Sequence, residues 1–142
     1  MNCVPPRNGS VMASADRVLP DTCAWIDFFN ACQTPLSAAL AEALRHGQVR
    51  TCGIVKYELV QGLIGKDEER VLCEALGAVT HLEMTESLWV KAGHLSFRLR
   101  KRGLTIPLSD ILIATLALEH SLSVLTIDRH FGLIEGLQVV AG

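Results

Sequence analysis

A chain of 142 residues with a formal net charge of −2 is long enough for one domain with a sizeable core and too short for two ordinary ones. Its residues are 49% hydrophobic and 20% charged, which excludes a disordered chain, and the negative charge means that any nucleic acid must be held by a local basic patch. No apolar run approaches the roughly 20 residues of a membrane span. The five cysteines (Cys3, Cys23, Cys32, Cys52, Cys73) include no CxxC pair, so reduced thiols in a cytoplasmic protein fit better than a disulfide framework or a zinc site.

Residues 1–16 carry Pro, Asn, Gly and Ser without the apolar stretch of a signal peptide and read as a flexible leader, with Met12 as an alternative start. Residues 17–142 are expected to form the domain. Val18-Leu19-Pro20 reads as a first strand, followed by helices over Ala24–Phe29 and Pro35–His46, the second closed by Gly47. Val49–Cys52 is a second strand and Ile54–Leu63 a compact helix. Asp67–Leu76 is helical and leads to a strand near Val79–Leu82. The amphipathic helix Glu86–Arg102 ends at Gly103. Ser109 is the expected N-cap of Asp110–His120, whose apolar residues fall on nearly every face, so this helix should be buried on more than one side. Ser123–Ile127 and Leu137–Ala141 supply the last strands. Strands alternating with helices predict an α/β layered fold with a mainly parallel sheet.

Four carboxylates stand in apolar surroundings, where an unpaired charge is costly: Asp21, Glu58, Asp110 and Asp128. Asp21 and Asp128 each follow a strand directly, at the carboxyl edge where parallel sheets collect ligands. The helix from Asp110 runs away from that edge for ~16 Å, and the returning strand covers ~17 Å, so Asp110 should end level with Asp128. Glu58 cannot be placed by the same arithmetic. Singly, each acid reads as an N-cap, a turn residue or a solvated helix residue; four together point to chemistry. Converging carboxylates need a cation between them, and oxygen donors favour Mg²⁺ or Mn²⁺, ions that acidify water and brace phosphoryl oxygens. The residues themselves therefore indicate metal-assisted phosphodiester hydrolysis.

The acids also come in company. Asp21-Thr22 with Trp25-Ile26, Tyr57-Glu58-Leu59 with Gly62, Ser109-Asp110 with Ile113-Ala114, and Thr126-x-Asp128 with Phe131 resemble, in order, the successive motifs of PIN-domain ribonucleases. The resemblance runs from about Val18 to the C-terminus. It implies a parallel five-stranded sheet sandwiched between helices. It also implies a Mg²⁺ or Mn²⁺ site of Asp21, Glu58, Asp110 and Asp128, which are both the metal ligands and the catalytic acids, with Thr126 as a supporting donor. Relatives of this length are typically VapC-type toxins, which cleave RNA, form homodimers and are silenced by a VapB-type antitoxin. Pro20 departs from the family's aliphatic strand residue and removes a ladder donor beside Asp21. The leader has no counterpart in the family pattern.

Among the remaining residues, the five histidines make no HxxxH or HExxH pattern and read as helix-end or surface residues; His130, two residues past Asp128, is the one to watch. Asp27 reads as solvated. Trp25 and Trp89 suit a core or dimer interface better than base stacking. Lys91, Arg98 and Arg102 share one stripe of their helix at about 100° per residue, suited equally to an RNA backbone contact and to a solvated helix end. A catalytically silent PIN-like RNA-binding module and a non-toxin PIN nuclease in RNA processing remain as alternatives. A phosphorelay receiver would need an early acid pair and a late lysine, and no lysine follows Lys101.

Overall fold

The computed structural model describes residues 17–62 and 65–140, so the leader at 1–16, with Met12, lies outside the described residues. In chain order the elements are β1 (Val18–Pro20), α1 (Thr22–Phe29), α2 (Pro35–Arg45), β2 (Arg50–Cys52), α3 (Gly53–Gln61), α4 (Lys66–Gly77), β3 (Thr80–Leu82), α5 (Glu86–Lys101), α6 (Leu108–His120), β4 (Ser123–Leu125) and β5 (Gln138–Val140), with a 3₁₀ turn at Arg129–Leu133. Every strand pair is parallel, and helices α1, α2, α3 and α6 pack against strands. The α/β class and the order of elements match the expectation.

The five strands do not form one continuous ladder. Three pair as β1-β4-β5 and two as β2-β3, and the groups meet at a single bridge between Val18 and Val49. Pro20 explains the break. The Val18 N–H donates to the Gln48 carbonyl at 2.9 Å, and the next rung of a parallel ladder would require an N–H at position 20. Proline has none. On its other side β1 stays in register with β4, and Asp21 resumes bonding there through its N–H to the Leu125 carbonyl.

Local signals set the helix ends. The Thr34 hydroxyl caps α2 by accepting from the Ser37 N–H, with Pro35 at the first helical position. Gly47 and Gly103 take φ of +64° and +79° after α2 and α5, where a side chain would be strained. One cap differs from expectation: α6 starts at Leu108 with Pro107 at the N-cap, so Ser109 and Asp110 lie inside its first turn. Pro107 is extended (φ −56°, ψ 149°), and its carbonyl accepts the first helical bond from Ile111. Likewise β4 stops at Leu125, because the Thr126 hydroxyl accepts the Asp128 N–H and bends the chain. Leu63 and Ala141, expected ends of a helix and a strand, lie outside the described residues.

The core runs through Leu19, Trp25, Leu36, Leu40, Val55, Ile113, Leu116, Leu125 and Phe131, all essentially inaccessible. Trp25 stacks on Phe29 and meets Phe28 edge-on, which fixes it as a core residue. Helix α6 is buried without interruption from Asp110 to Ala117. Apolar burial on that scale holds the backbone that carries Asp110.

Candidate active site

Asp21 stands where β1 ends. One carboxylate oxygen accepts the Thr22 N–H at 2.7 Å and so caps α1, while the other accepts the Thr126 hydroxyl at 2.9 Å. The cap is therefore real, and it also anchors the carboxylate at the sheet edge. Burial pushes the Asp21 carboxyl up; the Thr126, Thr22 and Cys23 donors partly oppose this, and the charge on Asp128 adds to it.

Asp110 and Asp128 meet from opposite directions, one in the first turn of α6 and the other just past β4. Asp128 accepts the His130 N–H at 2.9 Å, a tight turn that swings the imidazole over both acids. Its Nδ1 lies 3.2 Å from Asp110 and 3.0 Å from Asp128. One donor atom from each of Asp110, Asp128 and His130 fits within 4.8 Å of the other two. Burial first, then the charge and contact of Asp128 and the charge of Asp21, push Asp110 up to about 7, with His130 opposing. Burial also works against the Asp128 carboxylate, but the His130 N–H, Asp110 and the His130 ring outweigh it and hold Asp128 below its ordinary value. The two carboxyls therefore titrate as a pair, Asp110 pushed up and Asp128 held down. Carboxylates crowded in this way call for a positive charge. Two carboxylates and an imidazole in reach of one point, with Asp21 adding negative potential, fit a divalent cation.

Glu58 comes to the same corner by another route. Its carboxylate accepts the Thr22 hydroxyl at 2.7 Å, so α3 is tied to the residue after Asp21, but Glu58 is outside the three-residue donor group. Thr126 bonds both Asp21 and the Asp128 backbone, which fixes the spacing of those two acids.

The family profile for the PIN domain matches residues 18–137. The chain belongs to the PIN-domain family. PIN domains are nucleases, which places this chain among hydrolases of phosphodiesters. Solved structures share the fold. "VapBC2 from Rickettsia felis bound to a DNA fragment from their promoter" contains a chain 18% identical, with a TM-score of 0.73 over 87% of this chain and 97% of that one. "DNA bound VapBC from Salmonella typhimurium" gives 20% identity and a TM-score of 0.76 over 88% and 97%. "FitAcB from Neisseria gonorrhoeae" gives 24% and 0.68 over 86% and 95%. No curated protein sequence matches the chain.

Within this PIN domain two residues join the site that their types alone did not mark. His130, expected at a surface or helix end, faces Asp110 and Asp128; its spacing two residues after a turn-forming Asp was the available signal. Cys23, read as an idle thiol, lies 3.6 Å from Asp21 and 3.7 Å from the Thr126 hydroxyl, and burial raises its pKa. Asp27, expected to be solvated, instead accepts the Thr34 hydroxyl at 2.9 Å and ties α1 to the start of α2.

The basic stripe lies elsewhere. Lys91 and Arg98, with His94, line a cleft of about 240 Å³ between α5 and α6 that none of the four acids borders. Lys91 pairs with Glu119 at 2.7 Å, and Arg102 is the exposed C-cap of α5. Among the described residues no helix is long and apolar enough to cross a membrane.

Proposed function

We propose that this PIN domain is a Mg²⁺- or Mn²⁺-dependent RNA endonuclease and the toxin of a type II toxin–antitoxin pair, active as a cytoplasmic homodimer. The convergence of Asp110, Asp128 and His130 within 4.8 Å, with Asp21 pressing on the same pair, is the observation that carries the chemistry. Asp21, Asp110 and Asp128 would hold the cation, with the His130 nitrogen beside them, Glu58 tied to the same corner through Thr22, and Thr126 as the supporting donor. Bound there, the ion supplies Lewis acidity that makes water a better nucleophile and neutralises charge on the phosphoryl oxygens. The protein's own contribution is orientation. Thr126 fixes Asp21 relative to Asp128, the Thr22 hydroxyl fixes Glu58, and the His130 ring stands against both Asp110 and Asp128.

A VapB-type antitoxin as partner is supported by structural neighbours solved as VapBC and FitAB assemblies. A cation from that partner, inserted among the acids, would relieve the carboxylate repulsion that adds to burial in raising Asp110. Expression of the chain alone should arrest growth, and co-expression with a VapB-type antitoxin encoded immediately upstream should restore it. Equal growth in both cases, with soluble protein confirmed, would assign the chain to non-toxin RNA processing.

For RNA contact, Arg98 and Arg102 are better placed than Lys91, whose charge is already engaged by Glu119. Replacing both arginines with Ala in an Asp110→Asn background should reduce the salt slope of single-stranded RNA binding by about 0.7 for each phosphate no longer neutralised. Binding isotherms at several salt concentrations check this, and an unchanged slope returns both arginines to a solvated helix end.

A further inference from the structure

Gly93 sits in the middle of α5, where glycine is the poorest helix former after proline. Among the described residues nothing calls for it. A Cβ at position 93 would meet nothing within 4 Å, and its φ is not among the positive ones. A glycine with open space around it, in a helix that would be firmer without it, points to close approach by something outside the chain.

The residues flanking Gly93 have an order of their own. Trp89 and Phe97 lie one helical turn before and after it, 51% and 53% exposed. Glu86 and Arg100 lie two turns before and after, both exposed. Glu86, Trp89, Gly93, Phe97 and Arg100 follow a 3-4-4-3 spacing, which keeps all five on one helix face. This seam is separate from the stripe Leu88, Ala92, Leu95 and Leu99 that packs into the core. Lys101, 5.5 Å above the Phe97 ring, joins Arg100 at the positive end.

The seam has the same shape read from either end, and its charges are opposite at its two ends. Such a pattern is self-complementary only when the helix meets an antiparallel copy of itself. We propose that two copies of this chain associate through the exposed α5 seam Glu86–Trp89–Gly93–Phe97–Arg100, crossing antiparallel about a two-fold axis at Gly93. Trp89 of one copy then faces Phe97 of the other, Glu86 meets Arg100 twice, and the two glycines let the helix backbones close. An antitoxin segment would need no such symmetry about position 93. The inference rests on the homodimer proposed above and supplies its surface; it is independent of the nuclease chemistry.

Sedimentation velocity of the full chain alone, over a range of concentrations, reads the dimer directly. Glu86→Arg and Arg100→Glu should each weaken it about tenfold, because each creates two like-charge contacts, and the double reversal should restore it. Gly93→Cys places a thiol on the axis and should give a disulfide-linked dimer under mild oxidation, while the wild-type chain, with its exposed Cys73, should not. A wild-type chain that stays monomeric removes the homodimer and the seam together. A dimer that survives both reversals without cross-linking through position 93, or single reversals that the double variant fails to rescue, overturns the seam and leaves the homodimer. Arg100→Glu weakening only antitoxin binding would give the face to the antitoxin and overturn the proposal.

Discussion

Purified Asp110→Asn protein should fold, bind RNA and cleave it at least about a hundredfold more slowly than wild type, and Asp21→Asn should do the same. The amide keeps the shape of each side chain and removes the charge that holds a cation. For Asp110 the same change has a second effect that a merely passive residue would not produce. Its folded pKa of about 7 stands above the ordinary 3.8, so the folded state keeps a proton that the unfolded chain gives up. Metal-free stability should therefore fall as pH rises from about 4 to about 7, and the penalty should be complete above that. Asparagine carries no such penalty. The variant should thus be more stable than metal-free wild type near pH 8 and no different from it near pH 4. Chemical denaturation at both pH values in chelator reads the stability, and a labelled RNA oligonucleotide reads the rate. Two well-folded variants cutting RNA at the wild-type rate would remove both acids from the mechanism.

That Asp110 could be paired with Asp128 from sequence at all follows from the simplicity of the intervening structure. An apolar helix and an apolar strand are straight elements with fixed rises, and their lengths cancel. The α/β class was legible for the same reason, since each strand and each helix carried its own period. The parts that were not legible depend on single groups. A ladder interrupted between β1 and β2 hinges on one missing N–H at Pro20; the proline was visible, but which neighbour its nitrogen would face required the register. Ser109 looked like a cap because of its side chain, whereas the backbone of Pro107 decided where α6 begins. Glu58 had no straight path connecting it to the sheet edge, and a hydroxyl on Thr22 turned out to fix it there. His130 was two residues from an acid, but only the turn closed by the Asp128 carboxylate brings its half-exposed ring against the site.

Chelation should have the largest effect of all: exhaustive EDTA treatment should abolish RNA cleavage, and Mg²⁺ or Mn²⁺ should restore it. His130 refines this expectation. With an imidazole nitrogen beside the two carboxylates, the donor group suits Mn²⁺ at least as well as Mg²⁺, because nitrogen donors favour the transition ion. His130→Ala should narrow any Mn²⁺ advantage while leaving Mg²⁺ activity less affected. Binding should also appear without any turnover. Divalent ion at about a hundred times its Kd stabilises a folded protein by about 2.7 kcal/mol, so the unfolding midpoint should rise on adding Mn²⁺. The rise should be larger near pH 8 than near pH 5, because the proton held on Asp110 competes with the ion for the same carboxylate. Calorimetric scans with and without Mn²⁺ at the two pH values measure this directly. Cleavage that persists in EDTA, together with a midpoint indifferent to Mn²⁺, would mean that the acids at the sheet edge serve the fold and not the reaction.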